Sequence, residues 1–185
     1  MKNLIIIGVL ISLLSCTSFT QKNNDGKNFS VDYTMSIEQL IVAGHYDCIN
    51  SEVNSKNFFE EKTSGKCTLK MHLINFKDYM TSEDVKKCMD KNNLRPASLK
   101  ELLAFGITNL PFLKKHSVFA LGSSLKVNMP GVKVKDEFFT KEIFTGGTDY
   151  FFPYIGENGF GQVELGMITQ ANNWDSDCYF LVFSK

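Results

Sequence analysis

The chain has 185 residues, 43% of them hydrophobic, and its 20 basic side chains balance its 20 acidic ones. This apolar content is typical of a globular protein and argues against an intrinsically disordered chain. The balanced charge provides no electrostatic attraction to nucleic acid, so no nucleic-acid partner is expected. Arg95 is the only arginine, which excludes an arginine cluster for phosphate recognition.

The first sixteen residues have the pattern of a secretory signal. A positively charged start precedes an apolar run over residues 4–14, and Cys16 follows closely. The pattern resembles the bacterial lipoprotein signal, in which cleavage exposes a cysteine that is lipidated on its sulfur. The resemblance implies a signal peptide over residues 1–15 and a lipidated Cys16. A plain signal peptide is the alternative, whereas a run of about eleven apolar residues is too short for a transmembrane helix.

The signal predicts where the protein is located. We expect the acylated Cys16 to hold the chain on a lipid bilayer in the cell envelope. Thr17 follows it, not the aspartate that retains lipoproteins at the inner membrane of enteric-type bacteria, so an outer-membrane location is expected if the organism is Gram-negative. Residues 16–27 are polar and predict a flexible tether. Residues 28–185 are expected to form a single globular domain.

Helices are predicted in the first half of this domain. Each begins at a Ser or Thr cap and continues with an apolar face. The caps are Ser36, Thr81 and Ser98, and the predicted segments are 37–44, 82–91 and 99–106. Gln39 and Glu101 each stand three residues after a cap, which predicts two capping boxes.

Strands dominate the second half, because short apolar or alternating segments follow one another there. The predicted strands are 29–33, 45–53, 67–76, 118–122, 150–155, 162–169 and 178–183. Asn158-Gly159 predicts a hairpin turn. The uninterrupted apolar run 179–183 indicates a strand covered on both faces. We therefore predict an α+β fold, with two or three short helices packed on an antiparallel sheet.

Four cysteines remain after Cys16 is assigned to lipid. An even number in an oxidising compartment predicts two disulfides. Cys48–Cys67 and Cys88–Cys178 is the favoured pairing, because Cys48 and Cys67 lie on strand-like segments that could form a hairpin. The alternative is that Cys88 and Cys178 are simply small buried apolar residues.

Several segments carry a further resemblance. They are 95–106, 119–123, Pro153-Tyr154, and Trp174 together with 178–181. The chain resembles a widespread set of uncharacterised bacterial and phage-encoded proteins, and this resemblance implies no activity.

The order of elements also resembles the C-type-lectin-like fold. In calcium-binding lectins a Trp-Asn-Asp group helps hold the metal. The resemblance implies that Asn173, Trp174, Asp175 and Asp177 of the loop 172–177 correspond to this group. Asn172, Asn173 and Trp174 also predict an aromatic and amide rim for a sugar or protein ligand, with plain core packing of the aromatic residues as the alternative. Calcium needs six to eight oxygen ligands, and this loop offers too few, so no metal site is predicted and calcium remains only a candidate.

No catalytic residue is assigned and no other cofactor is expected. His45, His72 and His116 lack a metal-ligand spacing, and His72 is expected at the surface of a strand. The favoured function is a non-catalytic module that binds a protein or a glycan through loops 123–147 and 172–177. A structural subunit of a surface or secretion complex is the alternative, and an envelope hydrolase is the weakest hypothesis.

Overall fold

The computed structural model describes residues 19–20, 26–58, 63–129, 133–135, 142–144, 147–170 and 173–185. Short helices pack on both faces of a mixed sheet, which confirms the predicted α+β class. The helices are α1 (Ile37–Gly44), α2 (Ser82–Lys91), α3 (Leu99–Thr108) and α4 (Leu110–Leu113). The strands are β1 (Phe19–Thr20), β2 (Lys27–Asp32), β3 (Cys48–Ile49), β4 (Lys66–Phe76), β5 (Leu94–Pro96), β6 (Ser117–Phe119), β7 (Leu125–Met129), β8 (Lys133–Lys135), β9 (Glu142–Phe144), β10 (Gly147–Glu157), β11 (Val163–Thr169) and β12 (Cys178–Ser184).

The main sheet follows the order β1-β4-β12-β6-β10-β11-β3. Strand β2 pairs with β4, β5 with β12 and β7 with β10, while β8 and β9 form a separate hairpin. The sheet was predicted to be antiparallel, but β12 runs parallel to β6 and β3 runs parallel to β11. β6 and β12 are connected through strands β7 to β11, and β3 and β11 through residues 50–162, so neither pair has the short hairpin connection that would make it antiparallel.

Strand β12 is the centre of the structure. Its residues Phe180 to Phe183 are fully buried, which confirms that both faces are covered. Leu181 and Phe183 belong to a core that α1 and α3 line, and Phe180 and Val182 belong to a second core that α2 lines. Because successive side chains of a strand point to opposite faces, this one segment supplies both cores.

The predicted helix starts are present. The Ser36 side chain accepts a hydrogen bond from the Gln39 N–H, and the Gln39 side chain accepts one from the Ser36 N–H. Thr81 accepts from the Asp84 N–H at 3.2 Å and caps α2. Helix α1 ends at Gly44, as predicted, and His45 at φ 49° then adopts the left-handed conformation that glycine usually supplies.

Helix α3 continues past its predicted end at Gly106 to Thr108. A side chain at Gly106 would place its Cβ 2.1 Å from the Tyr46 hydroxyl oxygen and 2.8 Å from Ile155 Cδ1. The glycine is therefore needed for the close approach of Tyr46, not for terminating the helix.

One strand lies within the segment predicted as a flexible tether, and a second begins at its last residue. Phe19 and Thr20 of β1 pair with Phe76 and Asn75 of β4, and β2 begins at Lys27. At these residues the structure differs from the prediction, because β4 is eleven residues long and its edge accommodates both strands in succession. The first described strand therefore begins three residues after Cys16.

The predicted Cys48–Cys67 bridge is wrong, because both residues are free thiols. Cys48 lies in β3 and Cys67 in β4, and four strands of the main sheet separate these two. Five strand spacings correspond to about 24 Å, whereas a disulfide needs Cα atoms within about 7 Å. The predicted strand 45–53 is reduced to Cys48–Ile49, so the hairpin that would have joined the two cysteines does not form.

The predicted Cys88–Cys178 bridge is also wrong, because Cys178 is a free thiol. Cys88 lies in the C-terminal half of α2, and an ion pair between Asp90 and the C-terminal Lys185 holds that half near the end of β12. Cys178 begins β12, and the six residue steps to Ser184 correspond to about 20 Å. Cys178 packs against the core that includes Cys88, but its Sγ donates a hydrogen bond to Asp175 Oδ1 at 3.4 Å.

We predict that Gly122→Ala destabilises the protein by about 1–3 kcal/mol. The new Cβ would lie 2.5 Å from the Ala97 carbonyl oxygen and 2.9 Å from the Pro96 carbonyl oxygen, and backbone atoms cannot move aside as a side chain can. Urea unfolding measures the change. Gly147→Ala is the control, because nothing lies within 4 Å of its Cβ. Equal stability of the two variants would contradict this packing.

Candidate functional site

The predicted ligand-binding loop places its tryptophan in the core. Trp174 is only 1% exposed, its indole Nε1–H donates to Ser82 Oγ at 2.9 Å, and its ring packs against Phe119 and Phe180. Its backbone also forms a two-bond bridge with Met80. The prediction that Trp174 binds a ligand is therefore wrong, since a side chain that joins the sheet to α2 is not available to one.

The rest of this loop is organised internally. Asp175 Oδ1 accepts hydrogen bonds from the Asp177 N–H at 3.0 Å and from Cys178 Sγ at 3.4 Å. Asn173 and Asp177 are exposed, and Asn172 lies outside the described residues. One carboxylate is thus used to fix the turn that leads into β12. Across the described part of the chain, no three His, Cys, Asp or Glu side chains form a group able to hold a metal ion.

The histidines show one further difference from prediction. His72 was expected at the surface, but it is buried, and its Nε2 lies 3.0 Å from Ser184 Oγ. The backbone at Gly26 lies against the imidazole ring, since a Cβ on Gly26 would be 2.6 Å from His72 Cε1, so this side of β4 is enclosed. His116 stacks against Phe112 and Tyr179, at ring distances of 4.6 and 4.9 Å. His72 and His116 therefore pack within the fold, in contacts that the sequence pattern did not reveal, whereas His45 is exposed.

The most strongly organised polar group is a buried carboxylate in α3. Glu101 is 0% exposed and accepts two hydrogen bonds from Arg95, at 2.6 and 3.0 Å. The Tyr33 hydroxyl donates to it at 2.6 Å and the Ser98 N–H at 2.7 Å. Burial alone would raise the pKa of Glu101, but these donors outweigh it and hold the pKa below its ordinary value. The carboxylate therefore stays ionised and ties β2, β5 and α3 together.

A depression of about 380 Å³ lies beside this group and is lined by Tyr33, Thr63, Cys67, Leu69 and Arg95. The Arg95 guanidinium is half-buried and lies over the Phe183 ring at 4.9 Å. Because Glu101 already neutralises this arginine in a bidentate pair, the depression offers little net charge to an anion. We interpret the cluster of Glu101, Arg95 and Tyr33 as a structural one that stabilises the fold. The sequence indicated this role only through the predicted capping box at Glu101.

Residues 123–147, predicted as a long irregular loop, contain β7, β8 and β9 instead. Strand β7 pairs with the first half of β10, from Gly147↔Met129 to Phe151↔Leu125. None of the described side chains in 125–128 and 147–151 is buried, and Tyr150 is 39% exposed. We call this ribbon, residues 125–129 and 147–151, the arm; at its base Phe151 also pairs with Thr169 of β11. Of its described side chains, Leu125 packs against the core that α1 and α3 line.

A second exposed feature is the turn between β10 and β11. It confirms the predicted hairpin, but the connection spans residues 158–162, with Gly159 and Gly161 at positive φ, instead of a two-residue turn. Phe160 at its tip is 86% exposed. Asn158 Oδ1 accepts from the Phe160 N–H at 3.1 Å, and Glu157 Oε1 accepts from the Gly161 N–H at 2.6 Å. The turn therefore presents an aromatic side chain on an ordered backbone.

We predict that Glu101→Gln lowers the free energy of unfolding by about 3 kcal/mol at pH 7, because the Arg95 charge loses its buried partner. Because the folded-state pKa is lowered, the carboxylate stabilises the fold above its ordinary pKa of 4.5 and less as pH falls through the folded value. The difference in the free energy of unfolding between Glu101→Gln and wild type should thus become smaller below pH 4.5, as measured by urea titrations.

The control for this variant is Glu83→Gln. Glu83 lies on the exposed face of α2, 3.6 Å from the Lys87 ammonium, where an ion pair contributes at most about 0.5 kcal/mol. A Glu101→Gln protein as stable as this control would show that the buried cluster does not hold the fold together.

Comparison with known proteins gives no further assignment. No family model, no curated protein and no solved structure matches the chain. Among the described residues, no helix combines the length and the apolar character that crossing a bilayer requires. The function must therefore be argued from the arrangement of the chain itself.

Proposed function

We propose that this protein is a lipid-anchored, non-catalytic binding module of the bacterial cell envelope, and that the arm contacts its ligand. The arm supports this proposal most directly, because it is a β-ribbon with no buried side chain among its described residues. An isolated two-stranded ribbon is only marginally stable. A partner that packs on the arm would bury its accessible side chains without disturbing the packing of the cores.

A protein is the favoured ligand class. Among the described strands β7 pairs with β10 alone, so its outer edge offers backbone donors and acceptors to an added strand. Val127 and Phe151 on the arm are half-exposed, and Tyr150 provides an aromatic surface of the kind enriched in protein interfaces. A glycan is the second class, because the exposed Asn128 and Tyr150 also suit a sugar.

The proposed anchor is Cys16. It lies three residues before β1, and β1 pairs with the last two residues of β4. The arm lies toward the other end of the sheet, because β10 runs from Gly147 in the arm to Glu157 beside the start of β6. The two functional regions are thus separated along the strands by about 20 Å or more. Such an arrangement holds the protein at one end and leaves the other available.

We predict that Cys16→Ser abolishes acylation and moves the protein from the membrane fraction to the soluble fraction. A single acyl chain gives only marginal membrane binding, and a chain without acylation has even less hydrocarbon to bury. Fractionation and mass spectrometry of the N-terminal peptide measure both effects. Ser15→Ala, which keeps a small residue before Cys16, is the matched control. A native protein whose Cys16 carries no lipid, or is joined in a disulfide, would contradict the anchor.

We predict that a photo-crosslinking amino acid at Tyr150 captures a protein of one defined mass in intact cells. Val42, which is 73% exposed on α1, is the control position and should give no such adduct. Tyr150→Ser should weaken binding to the captured protein about thirtyfold, the effect expected for an aromatic interface residue. Equal adducts at both positions would contradict the role of the arm. Glycan-array binding without an adduct would favour the glycan class.

A further inference from the structure

The register of β1 fixes where the proposed anchor leaves the domain. Phe19 pairs with Phe76, the last residue of β4, and Thr20 pairs with Asn75. The chain therefore enters the sheet from the Phe76 end of β4. Three residue steps separate Cys16 from Phe19, so their Cα atoms are at most about 11 Å apart.

Several other strands begin or finish at the same end of the sheet. Phe180 pairs with Ile74, so β12 begins near the end of β4, and Cys178 pairs with Ser117 at the start of β6. Val118 pairs with Ile155, so β10 finishes here and continues into the turn 158–162. We call this region, which comprises residues 76–79, 114–117, 157–162 and 176–178, the anchor end.

Two large aromatic side chains project from the anchor end. Phe160 is 86% exposed at the tip of its hydrogen-bonded turn, and Tyr79 is 79% exposed three residues after Phe76. They are the two most exposed large hydrophobic side chains of the described residues. Leaving this apolar area in water is unfavourable, so a surface that covers both side chains would be stabilised by their burial.

Charged side chains flank the two aromatic ones. Lys77, Lys114 and Lys115 are exposed at the anchor end, and so are Asp78 and Asp177. Because the two signs nearly cancel, aromatic contact and not net charge should dominate any association. Aromatic side chains with flanking lysines are typical of protein surfaces that lie at lipid headgroup level.

We propose that the anchor end lies against the bilayer, with Tyr79 and Phe160 inserted among the lipid headgroups. The proposal rests on the proposed anchor at Cys16, because only a short connection to the membrane brings this end close to it. The lipids of the same membrane are then the occupant of the exposed aromatic surface. Together with the anchor at Cys16, this contact fixes the orientation of the domain on the bilayer. In this orientation the arm faces away from the membrane.

Tryptophan fluorescence tests this orientation in the full acylated protein. The protein is reconstituted into phosphatidylcholine vesicles with or without bromine atoms on the upper acyl chain, and bromine quenches a nearby indole. Phe160→Trp and Tyr79→Trp report on the anchor end separately. Tyr150→Trp on the arm is the matched control, since it is also an exposed aromatic position. Trp174 contributes the same buried background to all three variants.

We expect about a twofold loss of the added emission at positions 160 and 79 in brominated vesicles, as for side chains within 5–10 Å of the headgroup boundary. The added emission at position 150 should not change. Quenching at position 150 equal to that at 160, or no quenching at 160 and 79, would overturn the orientation. Flotation of the vesicles tests the anchor separately: protein that does not float overturns the anchor and this orientation together, whereas floating protein without quenching overturns the orientation alone.

Discussion

The fold depends on complete burial of β12. Its side chains alternate between two cores, and its backbone pairs with β4 on one edge and with β6 and then β5 on the other. Exposing a continuous apolar segment to water is unfavourable. The helices on either face are therefore held in place by packing on the buried side chains of β12. Removing β12 would leave both cores without their shared wall, which is why the last seven residues before the C-terminal lysine organise elements from the whole chain.

The buried carboxylate of Glu101 imposes a second constraint. An ionised group in the interior is tolerated only where donors surround it, and here the donors come from β2, β5 and the start of α3. Hydrophobic contacts can form in many packing arrangements. The buried Glu101 carboxylate is satisfied only in the few arrangements that bring its donors within hydrogen-bond distance. The network therefore fixes the position of α3 and of Tyr33, which follows β2, relative to β5, the strand that contains Arg95.

Local signals in the sequence predicted the fold class and much of its detail. Cap residues such as Ser36 and Thr81 act on neighbouring backbone groups, and β12 reveals itself through an uninterrupted apolar run, so both could be read from single segments. The parallel pairing of β3 with β11, the burial of His72 and the separation of Cys48 from Cys67 depend on which distant segments meet. Trp174 shows the same limit at the candidate site, because only the packing of α2 decides whether an indole binds a ligand or fills a core.

The free thiol of Cys178 has a chemical consequence. Burial raises its pKa to about 11, and the nearby Asp175 carboxylate adds to this effect. At neutral pH the thiolate fraction is then on the order of one in ten thousand, and the thiolate is the form that attacks disulfides. The residue that begins the central strand is therefore a poor nucleophile for disulfide exchange. Cys178 can therefore remain a reduced thiol under conditions that oxidise cysteines of ordinary pKa, although no disulfide bond protects its sulfur.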